Sequence, residues 1–316
     1  MERILSFEDV KAAADKAYAA YSKDKEGAED PRVAGRNSGK FGIAIRLADG
    51  RKYDVGDTQA QYPLGAISKL PVVAQLLTQM PVTELIQKMG LEYKKKKCSS
   101  SADGSQACKC KPKGVHAHSL RALSLVQPTG DLDGKMDILS NMLISMMGES
   151  PVFDDALFKQ AMADAEKKDV VNVVADAGFE LYDDTEISVS LSSRLRSMLA
   201  SSEQVATLGA TIAADGVNPV TKQIAFDGAN SQSILSIMAA RGPKGYRHGW
   251  LMMTGVPAIS SFGGGFLAIV PGFGAIAAFG PLLYKDGIPV AASQAVKSIL
   301  SSLGLSAFSS ARVEVK

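Results

Sequence analysis

Five side chains of metal-ligating type crowd one short stretch of this 316-residue chain: Cys98, Cys108, Cys110, His116 and His118. Thiolate and imidazole are the ligands of tetrahedral zinc. Structural zinc sites favour pairs two to four residues apart, however, and Cys108-x-Cys110 and His116-x-His118 are tighter than that. An exposed loop is the plainer reading, and no motif calls for a metal or any other cofactor. The same stretch carries Lys94, Lys95, Lys96, Lys97, Lys109, Lys111 and Lys113 against one acid, Asp103. Its local charge is therefore +6, which leaves −4 for the rest of a chain whose net charge is +2. Lysines grouped on a loop either form a solvated cluster or attract an acidic partner, polypeptide, lipid or nucleic acid, with little sequence preference. No aromatic residue is interleaved between Lys94 and Lys113, so base stacking is not supported. Elsewhere, the side chains with chemical potential are Lys69, which follows Ser68 directly, and His248 in a turn-like stretch beside Trp250. For Lys69 a pocket cation and a lysine snorkelling from a helix start are equally good readings.

The elements that must position these groups follow from patterning. A composition of 46% hydrophobic and 22% charged residues excludes a disordered, collagenous or coiled-coil chain. The near balance of charges excludes a globally basic nucleic-acid binder. Three cysteines in one loop fit an intracellular, reducing compartment better than a secreted disulfide framework, and the first residues show no signal-peptide core. Residues 249–284 lack any charge, yet Pro257, the glycines 263–265, Pro271 and Gly272 divide them into short runs. They predict buried strands at 265–270 and 275–280 joined by a Pro-Gly turn, not a transmembrane segment.

The first twenty-five residues have helical spacing, and 23–40 reads as a polar connector. Phe41 to Leu47, Asp49-Gly50 and Arg51 to Val55 spell strand, turn, strand. A helix from about Ala66 tolerates Pro71 in its first turns. The middle predicts helices at 136–147, 154–166, 169–177 and 201–214, and 293–303 predicts a closing amphipathic helix. Strands at both ends with helices between imply one antiparallel sheet built from the two chain ends.

At Tyr62-Pro-Leu-Gly-Ala-Ile-Ser-Lys69 the chain resembles the bacterial-type glutaminase family. Three further stretches carry the likeness: Phe41-Gly-Ile-Ala-Ile with Gly56-Asp57, the run from Leu208 through Gly-Val-Asn-Pro-Val-Thr221, and Gly255-Val-Pro-Ala with Gly264 to Gly272. The resemblance implies an α+β fold of the β-lactamase and transpeptidase type, its antiparallel sheet drawn from both chain ends and flanked by helices, plus a helical subdomain. On this reading residues 1–40 are an N-terminal helix and connector. Residues 41–316 form the domain, with sheet parts at about 41–65 and 250–316, a helical part at about 66–249 and a basic insertion at 94–113.

The same resemblance implies a serine nucleophile and, one helical turn on, a lysine that activates it. The serine position is Ala66 here, while Lys69 remains. Ser68 points about 100° away from its neighbour and is no substitute without a register change. The lysine of a Lys-Ser-Gly strand falls at Ile259, one tyrosine at Ser192, another at Lys244, an acid near Ala161, and an asparagine near Asp133. These losses lead to the expectation of a pseudoenzyme: a structural, self-associating subunit in an assembly of protein partners. The alternative is an L-glutamine amidohydrolase, or a protein that binds a small amide in the same pocket.

Overall fold

A computed structural model describes residues 2–91, 117–176, 180–243, 246–309 and 312–316. The basic stretch 94–113, with Cys98, Cys108, Cys110 and all seven of its lysines, lies outside the described residues, as do His116 and Lys244.

A five-stranded antiparallel sheet forms the centre, in the spatial order Lys52–Gly56, Gly42–Leu47, Gly274–Phe279, Gly265–Val270, Ala258–Ser260. The two chain ends meet where Gly42–Leu47 pairs with Gly274–Phe279, Ile45 opposite Ile276. Both predicted hairpins form. Asp49-Gly50 closes the first with Gly50 at φ +102°, and Gly272 at φ +72° supplies the left-handed residue of the second. The three middle strands are buried along their whole length, which explains why they read as continuous apolar runs and not as alternation.

Helices cover both faces. Ser202–Ala213 lies on one, pressed so closely that a Cβ on Gly209 would come within 2.6 Å of the Ala275 Cβ. Phe7–Tyr21 and Val290–Leu303 pack together on the other. Side chains alternate accordingly: Ala44, Leu267, Ile269 and Ala275 enter the core beneath Ser202–Ala213, and Ile43, Ile45, Phe266 and Ile276 the core on the opposite face. Reciprocal capping boxes fix the starts of two of these helices, Ser6 with Asp9 and Ser201 with Gln204.

Three features depart from the sequence expectations. The N-terminal helix begins only at Phe7, because Glu2–Leu5 is a strand paired in parallel with Arg312–Val315. The polar connector contains a two-residue strand, Ala28–Glu29, paired with Leu282–Leu283. Four helices went unpredicted, Ala117–Ser124, Thr185–Arg196, Ser231–Arg241 and Arg247–Thr254. Among the described residues no helix is long and apolar enough to cross a membrane, and the uncharged stretch 249–284 consists of a helix end followed by short strands.

Candidate functional site

The chain enters the site along Tyr62–Pro63, a two-residue strand paired with Met198–Ala200. The Leu64 N–H continues the ladder by donating to the Met198 carbonyl at 2.7 Å. Gly65 then turns at φ +52° into a single 3-10 turn, Gly65–Ser68, from which the helix Lys69–Gln79 grows. Close approach requires the glycine: a Cβ there would meet the Ser261 Oγ at 2.8 Å and the Phe262 ring at 3.0 Å. Ala66 sits in this turn, half-buried against the core, with Lys69 exposed at the helix start. Ser68 is buried, and its hydroxyl donates to the Gly65 carbonyl at 2.8 Å, so its proton is committed to the backbone.

The helix Thr185–Arg196 packs against this turn. Two cavities open along it and share the side chains of Ser192 and Arg196 as a common wall. The smaller, about 200 Å³, is lined by Ser68, Lys69 and His118 among mostly apolar neighbours. The larger, about 520 Å³, lies between Leu157, Ala161 and Ala165 on one side and Val189 and Ser192 on the other, with Arg32 and Phe262 closing it. A third hollow, about 570 Å³ under the connector, includes none of the sequence-predicted site residues.

The structure thus gathers Ser68, Lys69 and Ser192 at one cavity and Ser192 with Ala161 at the other. Ile259 lines neither: its strand, Ala258–Ser260, packs on the 3-10 turn, and its side chain is buried in the core that Ala66 also touches. Asp133 stands apart, its side chain 86% exposed in an ion pair with Arg194 at 3.6 Å. Among the described residues no three His, Cys, Asp or Glu side chains converge in a way that could hold a metal.

Sequence reasoning missed the charged wall. Arg32 forms a two-pronged pair with Asp30, through Nε at 2.8 Å and a terminal nitrogen at 2.7 Å. Its guanidinium lies 3.9 Å from the Phe262 ring centroid, and that of Arg196 lies 5.9 Å from the same ring. Burial acts to raise the Asp30 carboxyl, but the hydrogen bonds from Arg32 and the charges of Arg32 and Arg196 outweigh it and hold it below its usual value. Burial, and then the charge of Arg32, pull Arg196 below the usual guanidinium range. Asp30 is already committed to Arg32, and among the described residues no carboxylate or carbonyl pairs with Arg196.

A glutaminase of Parabacteroides distasonis is 29% identical over 319 residues, covering 100% of this chain and 99% of the relative. One from Bacteroides thetaiotaomicron is 30% identical, covering 88% and 87%. The solved probable glutaminase ybaS superposes with a TM-score of 0.83 at 26% identity, over 96% of this chain and 99% of its own. A probable glutaminase from Bacillus subtilis gives 0.78 at 17% identity, over 95% and 96%, and supports the β-lactamase-like α+β fold alone.

These findings correct the expectation of a structural pseudoenzyme in an assembly. That reading rested on a handful of replaced side chains, whereas the likeness to proteins named for an amide hydrolase runs the length of the chain. An alanine at position 66 supplies no evidence of a scaffold. A family model described as Glutaminase matches residues 28–308, and the chain belongs to the glutaminase family.

Proposed function

We propose that the chain works in the glutaminase reaction class, hydrolysing the side-chain amide of a small substrate held in the cavities along Thr185–Arg196. The single observation that carries this reading is the family match over residues 28–308. The reaction takes one amide and one water to a carboxylate and ammonium. Ala66 has no hydroxyl, so no acyl-enzyme forms there and water makes the attack. Lys69, whose side chain lines the smaller cavity, is the group assigned to the developing negative charge on the carbonyl oxygen.

Magnitudes follow from what is left. In a serine hydrolase stripped of its nucleophile and base, binding and oxyanion stabilisation still accelerate hydrolysis about a thousand- to ten-thousand-fold over water. Turnover of that order is slow enough that spontaneous chemistry competes. Free glutamine cyclises through its own amine and releases ammonia without an enzyme, so the product to follow is glutamate itself. Glutamate formation that falls to background in Lys69→Ala supports the reading, and no glutamate above background in the parent chain overturns it. Ala66 specifically favours a second reading, binding of the amide without turnover. Saturable binding of glutamine in calorimetry with no product would establish that one instead.

A further inference from the structure

The wall shared by the two cavities holds a cation that the protein leaves unbalanced. Arg196 ends the Thr185–Arg196 helix, is largely enclosed, and lines both cavities. Arg32, the other guanidinium at the Phe262 ring, is neutralised by Asp30. The remaining charged side chains of the larger cavity, Asp164 and Lys168, are exposed at its rim and offset one another. One positive charge is therefore left over, and it belongs to Arg196. A guanidinium largely removed from bulk water, whose nearest anion, Asp30, is hydrogen-bonded to another arginine, is costly, and its rigid fork of donors matches a carboxylate.

We propose that Arg196 is a carboxylate-binding residue, and that the ligand is an amido carboxylate lacking the α-ammonium group of an amino acid. Within the larger cavity one surplus charge calls for one anionic group and a phosphate dianion would overshoot it, Lys69 and Arg241 lining only the smaller cavity. An α-ammonium would enter a cavity whose only lining acid, Asp164, is exposed at the rim, and whose position 161 carries an alanine. The cation would then face Arg196, with the nearest enclosed acid, Asp30, already taken by Arg32. The simplest molecule of this class is glutaramate, the monoamide of glutaric acid: a primary amide at one end, a carboxylate at the other and an apolar chain between. The amide half of this assignment rests on the glutaminase-class reading, and the carboxylate half rests on Arg196 alone.

The test is calorimetric titration of the full chain with glutaramate, glutamine and inorganic phosphate. Glutaramate is expected to bind at least about tenfold more tightly than glutamine, and phosphate more weakly than either. Arg196→Met should lose about tenfold or more of the glutaramate affinity with no fall in melting temperature, because an unpaired cation is removed. Should that variant fail to fold, Arg196→Lys keeps the charge and loses the fork, and a drop of about threefold is expected. Glutamine or phosphate binding as tightly as glutaramate overturns the assignment, and so does unchanged affinity in the Arg196 variants. Arg196-dependent binding of glutaramate without formation of glutarate leaves the subsite standing and refutes hydrolysis, so the two readings fail separately.

Discussion

Replacing Asp183 by alanine strips a buried lysine of its only carboxylate among the described residues. Lys135 is completely buried near the start of Leu132–Met147, and its ammonium meets Asp183 at 2.6 Å, with side-chain exposures of 0% and 3%. Two carbonyls, Leu123 at 3.4 Å and Ser124 at 3.3 Å, share the remaining protons at longer range. Asp183 also accepts from the Gly130 and Asp184 backbone, so the pair ties three segments together just ahead of the helix that carries Ser192 and Arg196. Breaking a buried pair by deleting one partner costs about 3–5 kcal/mol, because the other charge is stranded in a low dielectric. For a domain of this size that corresponds to a melting temperature lower by on the order of 5–10 °C. Differential scanning calorimetry of Asp183→Ala and of the double variant Lys135→Met, Asp183→Leu measures it. The double variant is expected to recover most of the loss, since neither charge remains to be solvated. The sign with pH is fixed as well. Burial would raise the Asp183 carboxyl, but the Lys135 hydrogen bond, two backbone donors and the Lys135 charge together hold it below its usual value. The stability it contributes is therefore complete above the unfolded carboxylate value of about 4 and is lost as pH falls through the lower folded value. A cost under about 1 kcal/mol for Asp183→Ala would refute this reasoning.

Incubation with the electrophilic glutamine analogue 6-diazo-5-oxo-L-norleucine should add no mass to the present chain, whose position 66 has no hydroxyl, and Ala66→Ser should acquire a covalent adduct. Labelling of the parent chain, read by intact-mass spectrometry, would mean that another side chain is the nucleophile. Gly65→Ala places a methyl against Ser261 and Phe262 at positive φ, with an expected loss of about 1–3 kcal/mol in denaturant titration, and a loss under about 0.5 would show that the turn has room. Tyr53 donates to the Asp15 carboxylate at 2.6 Å; that bond, then burial, then the acidic charge of Asp15 and Glu8 push its pKa up to about 12. Its contribution to stability is full below about pH 10 and lost as pH rises toward that value, and an alkaline absorbance titration in which Tyr53→Phe changes nothing near pH 12 would contradict it.

What could be read beforehand was what local chemistry dictates. Asp49-Gly50 and Pro271-Gly272 specify their turns whatever surrounds them, and the apolar runs beside them have no use except as buried strands. The terminal pair Glu2–Leu5 and Arg312–Val315 carries no such signal, because its hydrogen bonds join opposite ends of the chain and neither strand has a turn to announce it. The position of Ala66 ahead of Lys69 was legible from the resemblance. Arg196 was not: the helix Thr185–Arg196 that carries it went unpredicted, and a basic residue in a helix's last turn ordinarily only complements the helix dipole. Only packing against Arg32, Phe262 and two cavities makes it a buried charge. Lys135 escaped for the same reason, since its partner Asp183 lies on a distant segment of the chain. Asp133 illustrates the converse error, an alignment across gaps that placed an exposed surface acid in the pocket.

Product formation by the full chain at stoichiometric concentration decides whether it hydrolyses a side-chain amide. Glutamine labelled with nitrogen-15 in its side-chain amide is followed by NMR over days beside the Lys69→Ala variant and an enzyme-free control. Labelled ammonium appearing together with glutamate, and falling to the control in Lys69→Ala, is the result predicted for an amide hydrolase of this family. Glutamate at the control level in the parent chain would contradict it.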